Sequence, residues 1–289
     1  MSTNPNQKAS KFEPKGATCV ITGGANGIGK ALAVQLSNLG AKYIVLADVD
    51  MSAAHRLAQS ITSDTNTTTI VTCIRTDVSS EGDIRRLVTR VEAEIAPIDA
   101  FFANAGILSL GGIDVTNEEW DAIWKINVMQ IIYVARHLIP RYEKRQKGVM
   151  VITASAAGLL NMPGALAYGV TKSATVAAAE WLAFTVKSKC PQVQVSCLCP
   201  QAVKTDMIGD SDGGPAGHDG VLEPIDVAKV TIESVQRGQF MILPHQIVKQ
   251  HMMGKAKYYD KWIGAMSKIS KSIEEQGVIP PPQRQISKL

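Results

Sequence analysis

Tyr168 and Lys172 have types and spacing that suggest chemistry, because on an α-helix they face the same side one turn apart. A free phenol has a pKa of about 10, which is too high for a base at neutral pH. An ammonium group about 4 Å away favours the phenolate by roughly 4 kcal/mol at an effective dielectric of about 20. That attraction lowers the pKa by about three units, so the pair predicts proton transfer. The same spacing is also common on solvated helix faces.

Ser155 and Asn127 are two further polar residues that adjoin apolar segments. Ser155 follows the apolar run 149–152, which is typical of a short buried strand. A hydroxyl brought next to the phenol and the ammonium strengthens the case for proton transfer. Asn127 lies within a long helix that a capping box at 116–119 is predicted to open. A buried amide needs hydrogen-bond partners, so we expect a buried role for Asn127.

A glycine-rich turn lies near the start of the chain, between a predicted strand at 17–21 and a predicted helix. Its sequence, from Thr22 to Gly29, is T-G-G-A-N-G-I-G. Glycines let the backbone approach a pyrophosphate, and the N-terminus of the following helix attracts its charge. The spacing G-x-x-x-G-x-G differs from the commoner G-x-G-x-x-G, but the strand and helix on either side favour a dinucleotide site.

Asp48 ends the next predicted strand, at 43–47, about twenty residues beyond the glycines. An acid at this point can accept hydrogen bonds from both ribose hydroxyls of NAD and repel a 2′-phosphate. The alternative is that Asp48 caps the helix predicted at 52–62, although Asp50 is better placed for that. Asn26 offers no cation to the phosphate of NADP. The sequence therefore favours NAD.

Predicted strands and helices alternate along the chain. Seven strands, at 17–21, 43–47, 70–74, 100–103, 149–152, 193–199 and 239–243, are separated by six helices. Alternation of this kind is typical of a parallel sheet covered on both faces. We therefore predict an α/β fold with a single doubly wound domain, a seven-stranded, mainly parallel sheet and helices on both faces.

The composition excludes several classes of protein. The chain has 289 residues, of which 45% are hydrophobic and 19% charged, and this favours a globular domain over disorder. A net charge of +4 gives no indication of nucleic acid binding. The histidines show no metal-site spacing, C-x-x-C is absent, and no apolar run is long enough to span a bilayer. The polar N-terminus does not resemble a secretory signal.

Four segments are predicted. Residues 1–15 form a flexible lead-in, 16–246 the catalytic domain, 247–276 a helical extension and 277–289 a flexible tail. Glycines at 209–220 favour a mobile lid, at about 205–224, over a plain surface linker. The extension has an apolar stripe through Trp262 and Met266, flanked by lysines. We expect this stripe to dock on the domain or on a partner subunit, while contact with a membrane surface is the alternative.

Taken together, these residues resemble the short-chain dehydrogenase/reductase family over about residues 15 to 245. The matching residues are Thr22-Gly23-x-x-x-Gly27-x-Gly29, Asp48, Asp77, Asn104-Ala105-Gly106, Asn127, Ser155 and Tyr168-x-x-x-Lys172. The resemblance implies a Rossmann-type oxidoreductase. One position departs from the pattern, since the family usually has Pro-Gly after the sixth strand and this chain has Pro200-Gln201. That leaves the local turn and the substrate side of the nicotinamide pocket open.

The resemblance also implies roles for individual residues. Tyr168 would be the general acid/base, Lys172 would lower its pKa and hold the nicotinamide ribose, and Ser155 would bind the substrate oxygen. Asn127 would support a proton relay through water. The residues implied at the cofactor are Gly23, Asn26, Gly27, Ile28, Gly29, Asp48, Asp77, Val78, Asn104, Ala105, Gly106, Tyr168, Lys172, Pro200, Val203 and Thr205, with Thr205 near the carboxamide.

Two classes of function are compatible with these residues. The first is an NAD-dependent alcohol dehydrogenase that acts on a secondary hydroxyl, and the second is a non-catalytic NAD-binding or scaffold protein. The complete set of Asn127, Ser155, Tyr168 and Lys172 favours the enzyme. Family members pair the helices that carry Asn127 and Tyr168 across a two-fold axis, so a homodimer or homotetramer is expected.

The sequence ends in Ser287-Lys288-Leu289, the tripeptide that the peroxisomal import receptor reads. The preceding Pro280-Pro281-Pro282 would hold this terminus away from the domain. A peroxisomal address would favour substrates of lipid metabolism, such as hydroxyacyl thioesters or hydroxylated lipids. The alternative is an ordinary frayed terminus on a cytoplasmic enzyme.

Overall fold

Seven parallel strands organise the computed structural model, which describes residues 12–65, 67–207, 217 and 219–275. The strands are β1 (Thr18–Thr22), β2 (Tyr43–Asp48), β3 (Ile70–Arg75), β4 (Ala100–Ala103), β5 (Gly148–Thr153), β6 (Val193–Leu198) and β7 (Met241–Ile242). Their order in the sheet is β3-β2-β1-β4-β5-β6-β7, and every neighbouring pair is parallel. The predicted seven-stranded parallel sheet is therefore confirmed.

Helices cover both faces of this sheet. They are α1 (Gly27–Asn38), α2 (Met51–Thr62), α3 (Glu81–Glu94), α4 (Asn117–Trp124), α5 (Gln130–Arg145), α6 (Ala157–Leu160), α7 (Leu166–Lys189), α8 (Pro224–Gln236), α9 (Ile247–Lys257) and α10 (Tyr259–Glu275). Alternate residues along each strand enter opposite cores, because side chains in a strand point to opposite faces. Val20 packs in one core with residues of α3, α5 and α7, and its neighbour Ile21 packs in the other with residues of α1, α2 and α8.

Side-chain caps begin three helices, and the sequence predicts two of them, at Asp50 and at Thr116. The Asp50 carboxylate accepts a hydrogen bond from Ala53 N and caps α2. Ser80 caps α3 in the same way, and Thr116 forms a reciprocal capping box at the start of α4. Each cap satisfies a backbone N–H group that has no partner within its helix.

The long helix predicted around Asn127 is interrupted. Between α4 and α5 the chain makes a π-helical turn over Lys125–Met129. Such a turn widens the helix, and it occurs often at functional sites. Asn127 lies at its centre and is buried. The predicted burial is therefore confirmed, and the predicted uninterrupted helix is wrong.

The order of the strands reverses at the centre of the sheet. From β1 the chain first builds outwards through β2 and β3, and then returns to place β4 on the other side of β1. In parallel sheets a crevice opens at this point, outside the carboxyl ends of the strands. The glycine turn follows β1 and Asn104 follows β4, so both lie at that crevice.

The C-terminal extension forms two helices, α9 and α10, where one was predicted, and the chain breaks between them at Tyr258. Val248 of α9 packs against Ala156 and Leu160 in a small buried cluster, with Trp262 of α10 against it. Lys255 Nζ also donates to Leu159 O over 2.7 Å. The extension therefore docks on its own domain.

Some predicted features fall outside the described residues. They are most of the lead-in, much of the predicted lid (208–216 and 218) and the tail from 276 with its terminal tripeptide. None of the helices in the described ranges has both the length and the apolarity to cross a bilayer.

Candidate active site

A cavity of about 460 Å³ lies at the carboxyl ends of the central strands. The predicted site residues that line it are Gly23, Asn26, Gly27, Ile28, Asp48, Asp77, Val78, Asn104, Ala105, Gly106, Ser155, Tyr168, Lys172, Pro200, Val203 and Thr205. Two predicted residues, Gly29 and Asn127, lie behind the wall of this cavity. Residues as far apart in the sequence as Gly23 and Thr205 thus meet at one site.

The glycine turn has no room for a side chain at two of its positions, Gly23 and Gly29. Gly23 has a φ of +60°, and a β-carbon there would lie 2.9 Å from Ala105 Cα. A β-carbon on Gly29 would lie 1.9 Å from the carbonyl oxygen of Gly23. Gly29 therefore permits close packing of α1 on the turn and does not itself line the cavity. Gly27 begins α1, so the N-terminus of this helix reaches the cavity, where it can attract an anionic group.

The Asp48 carboxylate is held at the cavity by backbone N–H groups. Its Oδ2 accepts from Ala25 N over 2.9 Å, and its Oδ1 accepts from Asp50 N over 3.0 Å. Because Asp50 caps α2, the capping alternative for Asp48 is wrong. The acid links the end of β2 to the glycine turn, in the position that suits a ribose.

Asn104 connects the ends of three strands. Its Nδ2 donates to Thr22 O at the end of β1 over 3.2 Å. Its Oδ1 accepts from Thr153 Oγ1, at the end of β5, over 3.2 Å. Asn104 itself follows β4, so these bonds fix the floor of the cavity. On the glycine side, Asp77 Oδ1 accepts from Ser79 N over 2.9 Å, which shapes the turn after β3.

Ser155, Tyr168 and Lys172 come together on the other side of the cavity. Tyr168 and Lys172 lie on α7, as their spacing predicts, and Lys172 Nζ is 5.7 Å from the centroid of the Tyr168 ring. Lys172 Nζ donates to Thr153 O over 3.0 Å, which fixes the ammonium at the end of β5. Ser155 Oγ accepts from Ala157 N over 3.1 Å, so the first turn of α6 positions this hydroxyl.

Burial governs the protonation of this group. It raises the pKa of the Tyr168 phenol, and the Ser155 hydroxyl partly offsets that rise through a hydrogen bond. Burial also lowers the pKa of Lys172, to about 8. The expected net lowering of the phenol pKa by Lys172 is therefore not what the structure shows, because removal from water disfavours both charged forms.

Asn127 lies behind Lys172 and is fully hydrogen-bonded. Its Oδ1 accepts from Ile107 N over 2.9 Å, and its Nδ2 donates to Ile107 O over 3.0 Å. Thr175 Oγ1, on α7, donates to the Asn127 carbonyl oxygen over 2.9 Å. A β-carbon on Gly106 would lie 3.2 Å from both Asn127 Oδ1 and Lys172 Nζ, so these two polar atoms flank the same point.

The far wall of the cavity is mainly apolar, and sequence reasoning missed most of it. It contains Leu108, Leu160, Met162 and Met207, together with Trp262, Ala265, Met266 and Ile269 of α10. The apolar stripe of the extension was the one available signal, since Trp262 and Met266 belong to it. Three polar residues, Gln201, Asp219 and His251, complete this wall. Within the described ranges, no group of His, Cys, Asp and Glu side chains is arranged to hold a metal ion.

Known proteins resemble this chain over most of its length. Residues 17–214 match the family model for short chain dehydrogenases. The chain is 31% identical over 248 residues to the 1-deoxy-11-beta-hydroxypentalenate dehydrogenase of Streptomyces exfoliatus, a match that covers 84% of this chain and 87% of the relative. It is 30% identical over 221 residues to the cyclopentanol dehydrogenase of a Comamonas species, which covers 74% of this chain and 87% of the relative.

A solved structure shows the same fold. A short chain dehydrogenase/reductase from Burkholderia phymatum, in complex with NAD, superimposes with a TM-score of 0.79. The match covers 86% of this chain and 96% of that one, with 28% sequence identity. With its glycine turn, its Tyr168–Lys172 pair and a family match over most of its length, the chain belongs to the short-chain dehydrogenase family.

Proposed function

We propose that the protein is an NAD-dependent dehydrogenase that interconverts a secondary alcohol and a ketone. The observation that carries this proposal is one continuous cavity lined by Asp48 at one end and by Ser155, Tyr168 and Lys172 at the other. Asp48 supports NAD over NADP, because a fixed carboxylate repels a 2′-phosphate. The choice of NAD rests on this carboxylate, because similar structures have been solved with NAD and with NADPH.

The residues present fit a dinucleotide. Glycine backbone, the N-terminus of α1 and the Asp48 carboxylate line one half of the cavity, and the half with Tyr168 lies beyond them. A bound NAD would supply the acceptor for the hydride of the alcohol carbon. Lys172, buried and held by Thr153 O, would bind the adjacent ribose.

Tyr168 would transfer the proton. In alcohol oxidation the substrate O–H bond breaks, and its proton passes to the phenolate oxygen of Tyr168. Ser155 donates a hydrogen bond to the substrate oxygen and orients it. In ketone reduction Tyr168 returns the proton to that oxygen. Asn127 supports this transfer from behind Lys172, as part of a relay through water.

The substrate is proposed to be apolar and lipid-derived or of acyl type. The far wall of the cavity supports this, because Leu160, Met162, Trp262 and Met266 offer an apolar surface in the cavity that Tyr168 also lines. One matched relative is named for cyclopentanol and another for a 3beta-hydroxysteroid. A secondary alcohol with a bulky apolar body fits both observations.

NADH formation over a panel of secondary alcohols tests the proposed function. We expect turnover with NAD and cyclic or long-chain secondary alcohols, and much weaker turnover with NADP. Tight NADH binding without turnover of any secondary alcohol or ketone would favour the alternative, a non-catalytic NAD-binding or scaffold protein.

The proposed location is the peroxisome. It rests on Ser287-Lys288-Leu289, which the import receptor for this tripeptide would bind. A fluorescent fusion that carries the intact tail should enter peroxisomes, and a matched fusion that lacks Leu289 should remain in the cytosol. Identical cytosolic distributions of the two fusions would show that the protein is cytoplasmic, which is the alternative.

A homodimer or homotetramer is proposed as the working assembly. The outer face of α7 exposes two large aromatic side chains, Trp181 and Phe184, whose accessible fractions are 57% and 62%. Trp124, at the end of α4, is also 40% exposed. Large apolar side chains exposed on the surface of helices favour burial against a second copy.

A further inference from the structure

The two C-terminal helices, α9 and α10, concentrate the positive charge of the protein. Residues 247–275 contain six lysines and three acids, so they account for most of the chain's net charge of +4. Two of the acids lie together at the end of α10, at 274 and 275. Four of the lysines are exposed and pair with no carboxylate in the part of the chain that the structure describes, namely Lys249, Lys257, Lys261 and Lys268. The surface of these helices is therefore basic.

Large apolar side chains are exposed among these lysines. Four side chains with accessible fractions between 49% and 66% lie there, namely Met253, Tyr258, Tyr259 and Ile263. Tyr259 and Ile263 are one turn apart on α10 and therefore share a face. Single exposed apolar side chains are ordinary, but a group of them within one short segment marks an interaction surface.

Lysines and tyrosines contact each other where α9 ends and α10 begins. Lys257 Nζ and Lys261 Nζ each lie 5.1 Å from the centroid of the Tyr258 ring. Lys255 Nζ lies 5.7 Å from the centroid of the Tyr259 ring. Aromatic rings beside lysines are typical of the surface of a bilayer, where the ring lies at the boundary with the acyl chains and the ammonium stays among the head groups.

The apolar stripe of α10 continues from the cavity to the outside of the protein. Trp262 and Met266 line the cavity. Ile263 is exposed, and Met266 lies three residues after it on the same helix, so the two are neighbours on the helix surface. One edge of the stripe thus forms a wall of the active-site cavity, and the other edge has no cover among the described residues.

Two other partners fit this surface less well than a lipid surface. A second copy of the chain, related by a two-fold axis, would bring the exposed lysines against the same lysines, where like charges repel. The phosphates of a nucleic acid would pair with the lysines but leave Met253 and Ile263 uncovered. A bilayer with anionic head groups offers negative charge to the lysines and an apolar boundary to the other side chains.

We propose that α9 and α10 dock on an anionic lipid surface. Met253, Tyr259 and Ile263 enter the boundary between head groups and acyl chains, and Lys257 and Lys261 bind the head groups. This docking goes beyond the proposed function and does not depend on it. If the proposed function is right, an apolar substrate dissolved in the bilayer meets the helix that also lines the cavity.

Flotation with lipid vesicles tests this docking on the full-length protein. One set of vesicles is phosphatidylcholine alone, and the other contains about one part phosphatidylserine to two parts phosphatidylcholine. We expect the protein to float with the phosphatidylserine vesicles and to bind phosphatidylcholine alone about tenfold more weakly, because only the former attract the lysines. High salt should release the protein, since it screens exposed charges.

Two pairs of substitutions separate the local charge from the net charge. Lys257→Glu combined with Lys261→Glu should weaken binding to the phosphatidylserine vesicles by about tenfold or more. Lys187→Glu combined with Lys189→Glu, at exposed positions in the last turn of α7, changes the net charge equally and serves as the matched control. The control should bind within about twofold of the wild type, because its lysines lie outside the docking surface.

The apolar part of the surface has its own pair of variants. Ile263→Ser removes an exposed apolar side chain without a change of charge and should weaken vesicle binding by about fivefold, since its burial in the boundary is lost. Ile113→Ser, at another exposed isoleucine, should leave vesicle binding unchanged.

Several outcomes would overturn the proposal. They are binding to neither kind of vesicle, equal binding to both kinds, and equal effects of the two lysine pairs. If Ile263→Ser instead lowers the mass of the protein in light scattering, the surface is a contact between subunits and the lipid proposal is wrong. None of these measurements needs turnover, so failure of the proposed dehydrogenase activity would leave their result unaltered.

Discussion

The ammonium nitrogen of Lys172 lies 5.7 Å from the centroid of the Tyr168 ring, and both side chains are buried. Burial raises the pKa of the phenol and lowers that of the ammonium, so burial disfavours the charged form of each group. Between the two ionisations the pair holds one proton. The form with phenolate and ammonium is the one that can accept a proton from an alcohol.

Replacement of Tyr168 by Phe should abolish the chemistry and preserve cofactor binding. The substitution removes only the ionisable hydroxyl, and the ring still packs against Ala157 and Ile107. Turnover should fall by about 10²–10⁴-fold, the usual contribution of a general acid–base group. NADH affinity, measured by fluorescence titration, should change by less than about twofold. Turnover close to that of the wild type would show that Tyr168 is not the general acid/base.

The rate of alcohol oxidation should rise with pH through about 8. Below that value both groups are protonated, since burial lowers the pKa of Lys172 to about 8, and the pair cannot accept a proton. Above it the pair has lost one proton. Burial favours the form with a neutral lysine and a neutral phenol, and the minor form with phenolate and ammonium is the one that accepts the proton of the alcohol. The measurement is kcat/KM for alcohol oxidation across the pH range.

Lys172→Met provides the contrast for this profile. It leaves the buried phenol alone, with a pKa that burial raises. The rise in rate should then move to higher pH, and the rate at pH 8 should fall. An unchanged profile in this variant would show that the ionisation belongs to another group.

The Lys172→Met variant should also be more stable than the wild type at neutral pH. Folding lowers the pKa of Lys172 from 10.5 to about 8, so between these values the unfolded chain binds a proton that the folded protein releases. The free energy of unfolding therefore rises with pH across this window and is lowest below it. Methionine removes the cost of burying the charged ammonium. Loss of the hydrogen bond to Thr153 O destabilises the folded protein by only about 1 kcal/mol. Thermal unfolding at pH 7 measures the balance, and a lower Tm would contradict it.

Asp48→Asn should narrow the preference for NAD over NADP. The amide oxygen can still accept from Ala25 N, so the glycine turn keeps its support, but the charge that repels a 2′-phosphate is lost. The ratio of the two dissociation constants should fall by about tenfold, a change worth roughly 1.4 kcal/mol. Equal affinity of the native protein for NADP and NAD would show that Asp48 does not select the cofactor.

Trp181→Glu should dissociate the proposed assembly. Trp181 and Phe184 pack edge to face on the outer side of α7, with ring centroids 6.4 Å apart, and a charge there would be costly to bury between subunits. Ile113→Glu, at a side chain that is 97% exposed, serves as the control and should leave the mass unchanged. Light scattering at micromolar concentration makes the comparison. A monomer mass for the wild type would contradict the proposed homodimer or homotetramer.

Local patterns in the sequence were enough to predict many residues of the candidate site. The four-residue spacing of Tyr168 and Lys172 needs only helical periodicity to place both on one face, and α7 confirms it. The glycine turn and Asp48 follow strands that alternation alone predicts to be parallel, so their meeting at one edge follows from the fold class. These features are encoded over short stretches of chain, where periodicity and turn chemistry dominate.

Only the tertiary structure decided the rest, because it depends on contacts between residues far apart in sequence. The π-helical turn at Asn127 accompanies hydrogen bonds to Ile107 and Thr175, which no helical pattern near Asn127 contains. Burial reversed the expected shift in the Tyr168 pKa, since the loss of water on folding outweighs a charge that sequence spacing can predict. The orientation of Gln201 depends on Asp219, and the apolar wall depends on α10 folding back over the cavity. Hydrophobic burial drives that last contact, and it specifies that a stripe must be covered without specifying by which surface.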